Sequence, residues 1–229
     1  MIKYVFLDLD DTLLDFVKSE RRAIRATLSS LGIKPTKSVV ERYHHINATQ
    51  WKLLERGEIT REEVLRRRFA LLFAEYGISC EPETAQHIYE KELGTGHYFI
   101  KSAKRVLRRL SKEYSLYLVT NGLATVQTSR LKSAKMAPFF QKIFISQQIG
   151  YNKPQPEYFE HCFAAIDDFQ KEHAIIIGDS LSSDMKGGNA VSIRTCWFNP
   201  HRHQAAPTDV PVDYEIRRLS QLPSLLGRL

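Results

Sequence analysis

The chain has 229 residues, of which 43% are hydrophobic and 26% charged, and its formal net charge is +7. These proportions are typical of a globular protein and exclude a disordered or fibrous chain, while the length allows one large domain or two smaller ones. The positive charge attracts anions, either nucleic acid or a small phosphorylated molecule. Basic residues cluster on helix-like stretches without interleaved aromatic residues, which favours solvated helix faces over a nucleic-acid surface. The clusters are Arg66-Arg67-Arg68, Lys104-Arg105 with Arg108-Arg109, and Arg217-Arg218.

The cysteines and the N-terminus indicate the compartment. Cys80, Cys162 and Cys196 are widely spaced, which suits reduced thiols better than a disulfide framework. The first apolar stretch is too short for a signal peptide and runs straight into acidic residues. No stretch approaches the roughly 18 apolar residues that a membrane span needs. We therefore expect a cytoplasmic protein, with neither a membrane nor a nucleic-acid polymer as its partner. The sequence is compatible with a monomer and with a homodimer.

The chain opens with an apolar, β-favouring run over residues 2–7 that predicts a short buried strand. Asp8-Leu9-Asp10-Asp11-Thr12 follows at once. Carboxylates about 4 Å apart repel by roughly 4 kcal/mol at an effective dielectric constant near 20, so this loop predicts a bound metal ion. Because open α/β sheets bind ligands at the carboxyl ends of their strands, the loop is also the expected place of an active site.

Residues 16 to about 95 contain no convincing strand and predict successive helices. Each helix has a recognisable start or stop signal, such as the Thr60-Arg61-Glu62-Glu63 capping box or a terminating glycine. We expect an inserted helical cap domain over residues 16–96, which acts as a lid on the site beside it. The expected helices are Val17–Leu31, Thr36 or Ser38 to Arg56, Thr60 to Gly77, and Pro82 to Gly94.

From about residue 102 the pattern alternates between helix and strand, which predicts a parallel sheet covered on both faces. The fold class is therefore α/β, with residues 1–15 and 97–229 forming a doubly wound, Rossmann-like core domain. The expected strands are Leu116–Thr120, Lys142–Ser146, Ala174–Gly178, Arg194–Phe198 and Val212–Ile216. The expected helices lie near residues 102–113, 124–134, 156–167, 183–191 and 219–226.

Three further polar motifs follow strands of this predicted sheet. They are Thr120-Asn121-Gly122, Lys153, and the segment from Gly178-Asp179 to Asp184. Each is weak alone, since turns, surface lysines and helix caps are common. Because every one of them lies just beyond a strand of one sheet, the pattern predicts that they meet the acidic loop in a single site.

On these motifs the sequence resembles the haloacid dehalogenase (HAD) superfamily, which has an Asp-x-Asp-x-Thr loop, a strand-ending Thr or Ser, a Lys, and a Gly-Asp pair with a second acid. The match spans residues 8–184, and the helical block lies where that superfamily carries its small cap. Within the superfamily the chain is most similar to bacterial pyrimidine 5′-nucleotidases that act on modified pyrimidine nucleotides. One departure is Ser102, where Gly is more usual. The supporting segments are Leu14-Asp15-Phe16, Ile46-Asn47 with Trp51, Gly57, Arg68-Phe69, Gly96-His97, Thr120-Asn121-Gly122 and Thr195-Cys196-Trp197-Phe198-Asn199-Pro200.

The resemblance implies a Mg²⁺-dependent phosphomonoester hydrolase that acts on a small phosphorylated metabolite, a pyrimidine nucleoside monophosphate. Asp8 is the implied nucleophile, which forms an aspartyl-phosphate, and Asp10 the implied proton donor and acceptor. The other implied roles are Thr120, the Asn121 backbone and Lys153 for the phosphoryl oxygens, and Asp8, Asp10 (through its backbone carbonyl), Asp179 and Asp184 (mostly through water) for Mg²⁺. Phe16, Asn47 and Trp51 are candidates for contacting the base, although Phe16 and Trp51 also fit as core residues of the cap.

Three alternatives remain open. A broad-specificity sugar phosphate phosphatase or a phosphomutase of the same superfamily shares these motifs, and substrate assays separate them from a nucleotidase. A phospho-ligand-binding module without turnover is disfavoured by the intact Asp8, Asp10, Lys153 and Asp179. Metal binding by His44-His45 is disfavoured, because adjacent histidines on a helix point apart. Metal binding by His201-Arg202-His203 is disfavoured as well, because this group lies in a loop flanked by prolines.

Overall fold

A computed structural model describes residues 1–202 and 210–229. Its centre is a six-stranded parallel sheet with the order β3-β2-β1-β4-β5-β6, which confirms the predicted α/β class. The two halves of the chain therefore extend in opposite directions from β1, and ligands bind at such a switch point in open α/β sheets. The strands are β1 (Tyr4–Leu7), β2 (Ser115–Thr120), β3 (Lys142–Ile145), β4 (Ala174–Gly178), β5 (Arg194–Phe198) and β6 (Tyr214–Ile216).

Except for the short helix over Ser146–Ile149, which the sequence did not predict, the α-helices agree with the predicted ones to within a few residues. Two places differ in kind: the predicted helix near 183–191 starts as a π-helical turn over Leu181–Met185, and the predicted C-terminal helix starts as a 3₁₀ turn over Leu219–Gln221. The α-helices are α1 (Phe16–Ser30), α2 (Lys37–Glu55), α3 (Arg61–Tyr76), α4 (Pro82–Leu93), α5 (Ala103–Leu110), α6 (Ala124–Ala134), α7 (Ser146–Ile149), α8 (Pro156–Ala164), α9 (Lys186–Ala190) and α10 (Leu222–Leu226).

Both faces of the sheet are buried, as the apolar strands predict. Side chains alternate along a strand, so Val5 and Leu7 of β1 lie in the hydrophobic cluster on one face and Phe6 lies in the cluster on the other. Helices α5, α6 and α10 cover the first face, and α8 covers the second. This packing leaves the carboxyl edge of the sheet as the place where polar loops can meet.

Helix boundaries follow the predicted caps. The Thr60 hydroxyl accepts a hydrogen bond from the Glu63 backbone at 3.2 Å, and the Glu63 carboxylate accepts one from the Thr60 backbone N–H at 2.8 Å. Gly77 ends α3 with φ 62°, a conformation that glycine adopts without strain. Ser102 has φ 72°, which explains why glycine is the more usual residue there.

Helices α1 to α4 enclose a second hydrophobic cluster, which includes Ile24, Tyr43, Phe69 and Tyr89. Leu123 and Val126, at the start of α6, are also buried in this cluster, so it extends into the sheet layer. The division into a cap domain over residues 16–96 stays a prediction. The prediction that Arg66-Arg67-Arg68 forms a solvated face is wrong for Arg68, which is only 2% exposed. Its position four residues after Val64 places it on the buried side of α3.

Among the described residues, no helix is long and apolar enough to cross a membrane. Cys80, Cys162 and Cys196 are free thiols. His203, part of the histidine group that we disfavoured as a metal site, lies outside the described residues.

Candidate active site

Carboxylates from two strand ends meet at the switch point of the sheet. Asp8 follows β1 and Asp179 follows β4, and oxygens of Asp8, Asp179 and Asp184 lie within 4.8 Å of one another. Asp184 comes from the π-helical turn after β4 and is 1% exposed. The structure therefore brings these three predicted metal ligands together in a buried place where their charges repel.

The cluster changes the ionisation of its members. Burial, followed by the nearby Asp184 and Asp10 charges, raises the pKa of Asp8 to about 8, even though Lys153 acts in the opposite direction. Burial and the charges of Asp8 and Asp184 also raise the pKa of Asp179. Neighbouring buried carboxyl groups whose pKa values are both raised indicate a place where a further cation would be favourable.

Lys153 supplies positive charge inside this cluster. It lies in the loop after α7 and is 2% exposed, and its Nζ donates to Asp8 Oδ1 and to Asp184 Oδ1, each at 2.6 Å. Burial on its own lowers the pKa of Lys153, but Asp184 and Asp8 more than offset this and hold it above its usual range. A permanently charged ammonium is thus fixed beside Asp8.

Asn121 positions Lys153. Its side chain accepts from the Lys153 backbone N–H at 2.9 Å and donates to the Lys153 carbonyl at 2.9 Å. The Asn121 side chain is therefore used to hold the lysine loop, which leaves its backbone for the role that the resemblance implies. Thr120, 1% exposed, lies at the end of β2, and both residues line the same cavity as Asp8.

Asp10 is held by two residues that the sequence analysis missed. Gln127 Nε2 donates to Asp10 Oδ2 at 2.8 Å, and Arg130 Nη1 donates to Asp10 Oδ1 at 2.5 Å. Both belong to α6 and are almost completely buried, and Arg130 Nε also donates to the carbonyl of Gly96 at 2.9 Å. One sequence signal could have found them: two polar residues three positions apart on the helix after Thr120, which point to the same side.

Asp11 and Thr12 shape the loop. The Asp11 carboxylate accepts from the backbone N–H groups of Phe16 and Val17 at 2.8 and 3.3 Å, so it fixes the start of α1. Thr12 donates to Asp179 Oδ1 at 3.1 Å. Burial, with a smaller contribution from Asp10, raises the pKa of Asp11 to about 6.

Gly178 allows the close approach of the second acid. A Cβ at this position would lie 2.1 Å from Asp184 Oδ2 and 2.3 Å from Asp184 Cγ, distances that no side chain tolerates. Glycine at the end of β4 is therefore required for Asp184 to reach Lys153.

A cavity of about 310 Å³ extends from the carboxylates to helices α1 to α4, within the size range of small-molecule sites. Phe16, Asn47 and Trp51 all line it. Asn47 is 1% exposed; its Oδ1 accepts from Trp51 Nε1 at 3.1 Å and from Arg68 Nη1 at 3.0 Å. The Asn47 carbonyl and the Trp51 N–H are thus bonded to other cap residues, which leaves the Trp51 ring as the part able to contact a ligand.

Side chains of α2 and α3 form three hydrogen bonds with the sheet layer. Ser182 Oγ donates to Glu55 Oε2 at 2.7 Å. Arg61 donates to Ser146 Oγ at 2.7 Å and also to Asn152, the residue before Lys153. The helices are therefore held over the carboxylates.

A doubly wound sheet with buried carboxylates and a lysine beyond its carboxyl edge, under a helical block, defines a cap-covered α/β hydrolase. The family model for haloacid dehalogenase-like hydrolases matches residues 5–198, and the chain belongs to this family, which confirms the predicted resemblance.

Two bacterial relatives match nearly the whole chain. HAD-hydrolase YfnB of Bacillus subtilis (strain 168) is 38% identical over 223 residues, 97% of this chain and 94% of that protein. Its magnesium-bound crystal structure superposes with a TM-score of 0.94 at 37% identity and covers 99% of each chain. Pyrimidine 5′-nucleotidase PynA of Streptococcus pneumoniae (strain ATCC BAA-255 / R6) is 33% identical over 227 residues, 99% of this chain and 95% of that protein. The protein is thus a HAD hydrolase close to pyrimidine nucleotidases.

Proposed function

We propose that the protein is a Mg²⁺-dependent phosphatase that forms an aspartyl-phosphate on Asp8 and hydrolyses pyrimidine nucleoside monophosphates. The observation that carries this proposal is the Asp8 carboxylate, buried among acids with Lys153 Nζ 2.6 Å away. Similarity to pneumococcal pyrimidine 5′-nucleotidase supports the substrate class. The cytoplasmic location, the monomeric or dimeric state and the cap and core division at residues 16–96 belong to the same proposal.

The donor set fits Mg²⁺. Asp8, Asp179 and Asp184 offer carboxylate oxygens within 4.8 Å of one another, and Mg²⁺ prefers hard oxygen ligands together with water. Asp184 already accepts bonds from Lys153 and from the Ser180 backbone, which suits an indirect role through water. Asp8 and Asp179 would hold the ion directly, together with the Asp10 backbone carbonyl. When bound, Mg²⁺ reduces the repulsion between the Asp8 carboxylate and an anionic phosphate.

The residues divide the reaction between them. Asp8 attacks phosphorus while the bond from phosphorus to the leaving oxygen breaks, and Asp10 gives a proton to that oxygen. Water then attacks the aspartyl-phosphate and returns a proton to Asp10, which releases phosphate and restores the Asp8 carboxylate. Lys153, Thr120 and the Asn121 backbone hold the phosphoryl oxygens through both steps.

Arg130→Lys tests whether the Asp10 carboxylate must be held by a guanidinium. An ammonium keeps the charge but cannot contact Asp10, Gln127 and the Gly96 carbonyl together, as Arg130 does. We expect kcat to fall by about 10²-fold while KM changes little, measured by steady-state phosphate release with Mg²⁺. Arg108→Lys, an exposed change, is the control. A wild-type kcat in Arg130→Lys would contradict this role.

A phosphate-release screen over nucleotides, sugar phosphates and cofactor phosphates, with and without Mg²⁺, tests the proposed function. We expect Mg²⁺-dependent release, with the highest kcat/KM for pyrimidine nucleoside monophosphates. A clear preference for sugar phosphates would support the alternative of a broad-specificity phosphatase, and transfer of the phosphoryl group within one sugar would indicate a phosphomutase. Phosphate-ester binding without any release would establish the binding-module alternative.

A further inference from the structure

The cap end of the cavity contains a polar network that the proposed chemistry does not use. Glu20 of α1 is 1% exposed, and its carboxylate accepts from His44 Nδ1 at 2.5 Å and from Asn47 Nδ2 at 2.7 Å. Arg68 of α3 joins the network through Asn47 and also donates to Gln86 of α4. Buried ionic groups generally stabilise a fold no better than apolar side chains of the same volume, so packing alone does not explain them.

Most polar atoms of this network have partners inside the cap. Both hydrogen bonds that the Asn47 carbonyl oxygen can accept are formed, Trp51 Nε1 donates one of them, and each Arg68 nitrogen donates to a neighbour. His44 differs. It lines the cavity, its side chain is 29% exposed, and among the described residues its Nε2 has no hydrogen-bond partner.

The contact with Glu20 determines what His44 offers to a ligand. A carboxylate oxygen accepts, so Nδ1 carries the proton; Nε2 is then an acceptor in the neutral ring and a donor in the charged ring. The hydrogen bond to Glu20 raises the pKa of His44 above its ordinary value, an effect that burial partly opposes. The other charges that act on the ring are Arg21 of α1, which lowers its pKa, and Glu41 of α2, which raises it. Arg68 of α3 and Glu90 of α4 line the same end of the cavity.

We propose that the Glu20–His44 pair determines the specificity of the cap: His44, held by Glu20, donates an Nε2–H hydrogen bond to a carbonyl oxygen on the distal edge of the pyrimidine base. This inference rests on the proposed function. The group at C4 of a pyrimidine is the one farthest from the phosphate, and it is a carbonyl in uracil and an amino group in cytosine. A charged Nε2–H donor at the cap end can form a hydrogen bond with the C4 carbonyl of uracil. It cannot form one with the C4 amino group of cytosine, because two donors that face each other are both left unpaired.

The test compares kcat/KM for UMP and CMP between about pH 6 and 8.5, the range in which a histidine with a raised pKa titrates. The ratio of the two values cancels the ionisation of the phosphate and of the carboxylates at the reaction centre, since both substrates share them. We expect UMP to be preferred at the acidic end by about 10- to 100-fold, and the preference to fall as pH rises, because neutral Nε2 becomes an acceptor.

Two variants and a control decide the question. His44→Ala should remove most of the UMP preference and its pH dependence, and it should lower kcat/KM for UMP relative to that for ribose 5-phosphate. In Glu20→Gln, the pH at which the preference for UMP over CMP declines should be lower than in wild type. If His44→Ala does not fold, the pH profile of Glu20→Gln provides the test instead. His87→Ala changes an exposed histidine of α4 that does not line the cavity and should keep the wild-type profile. An unchanged ratio in both His44→Ala and Glu20→Gln, or a wild-type preference for CMP at pH 6, would overturn this inference. Absence of phosphate release from every ester would instead reject the proposed function.

Discussion

Asp8→Asn is expected to lower phosphate release by at least about 10⁴-fold, because an amide cannot form the acyl phosphate that a carboxylate forms. The substitution should leave the fold intact, since the oxygen of the introduced amide can still accept the bond that Lys153 Nζ donates to Asp8 Oδ1. The measurement is single-turnover and steady-state release from the best substrate at saturating Mg²⁺. Asp167→Asn, the same chemical change at an exposed position, should keep wild-type kinetics.

Asp8→Asn is expected to raise the stability of the metal-free protein, although it lowers activity. The pKa of Asp8 is raised to about 8 by burial, so between about pH 4 and 8 the folded protein holds a proton that the unfolded chain has released. Metal-free wild-type stability therefore falls as pH rises through this window, and the neutral amide removes that contribution. We expect a higher Tm for Asp8→Asn than for wild type at pH 8 without Mg²⁺. Undiminished turnover would reject Asp8 as the nucleophile, whatever the Tm.

Lys153→Met is expected to damage both stability and activity. Removal of the ammonium leaves Asp8 and Asp184 facing each other without their shared partner, and breaking a buried ion pair in this way costs about 3–5 kcal/mol. For a chain of this length we expect a drop in Tm of roughly 6–20 °C, measured by thermal unfolding without metal. Activity should fall by about 10³-fold, because a fixed donor to the phosphoryl oxygens is lost.

The response to Mg²⁺ separates electrostatics from packing in this variant. A divalent cation bound by the same carboxylates should restore part of the lost Tm, while activity should stay low because the ammonium has no substitute. Lys153→Arg should not rescue activity, since a planar guanidinium does not fit a position built for an ammonium between two carboxylates. Lys132→Met, an exposed lysine on α6, is the matched control. A wild-type Tm for metal-free Lys153→Met would show that the pairs of Lys153 with Asp8 and Asp184 contribute nothing to stability.

The sequence was informative wherever the signal is local. Strands β4 and β5 were predicted to the residue, because continuous apolar runs mark strands buried on both faces. Thr60 and Gly77 marked the ends of α3, because caps act within one turn. Errors occurred where backbone geometry departs from a regular helix, as in the π-helical turn over Leu181–Met185 that no residue pattern announces.

The candidate site also contains some features that the sequence could reveal and others that it could not. That Asp8, Lys153 and Asp179 meet could be predicted, because parallel strands bring their carboxyl ends to one edge. Asp8 and Asp179 directly follow such ends, whereas the short helix α7, which the sequence did not reveal, separates Lys153 from the end of β3. The residues of helices α1 to α4 were harder to interpret: Asn47, expected to contact the base, does line the cavity, but its carbonyl is bonded to Trp51 and Arg68. No periodicity distinguishes a side chain that binds a ligand from one that binds its neighbours.

The sequence by itself determined the α/β class, the helical insertion and the acidic residues of the site, because these follow from hydrophobic period, caps and strand ends. Only the tertiary structure decided which basic and polar side chains bond to the acidic residues. Arg130 reaches Asp10 across 120 positions of the chain, and His44 reaches Glu20 across 24. Such pairs depend on how the helices pack over the sheet. The free energy of that packing comes from many apolar contacts, so no short sequence motif specifies it.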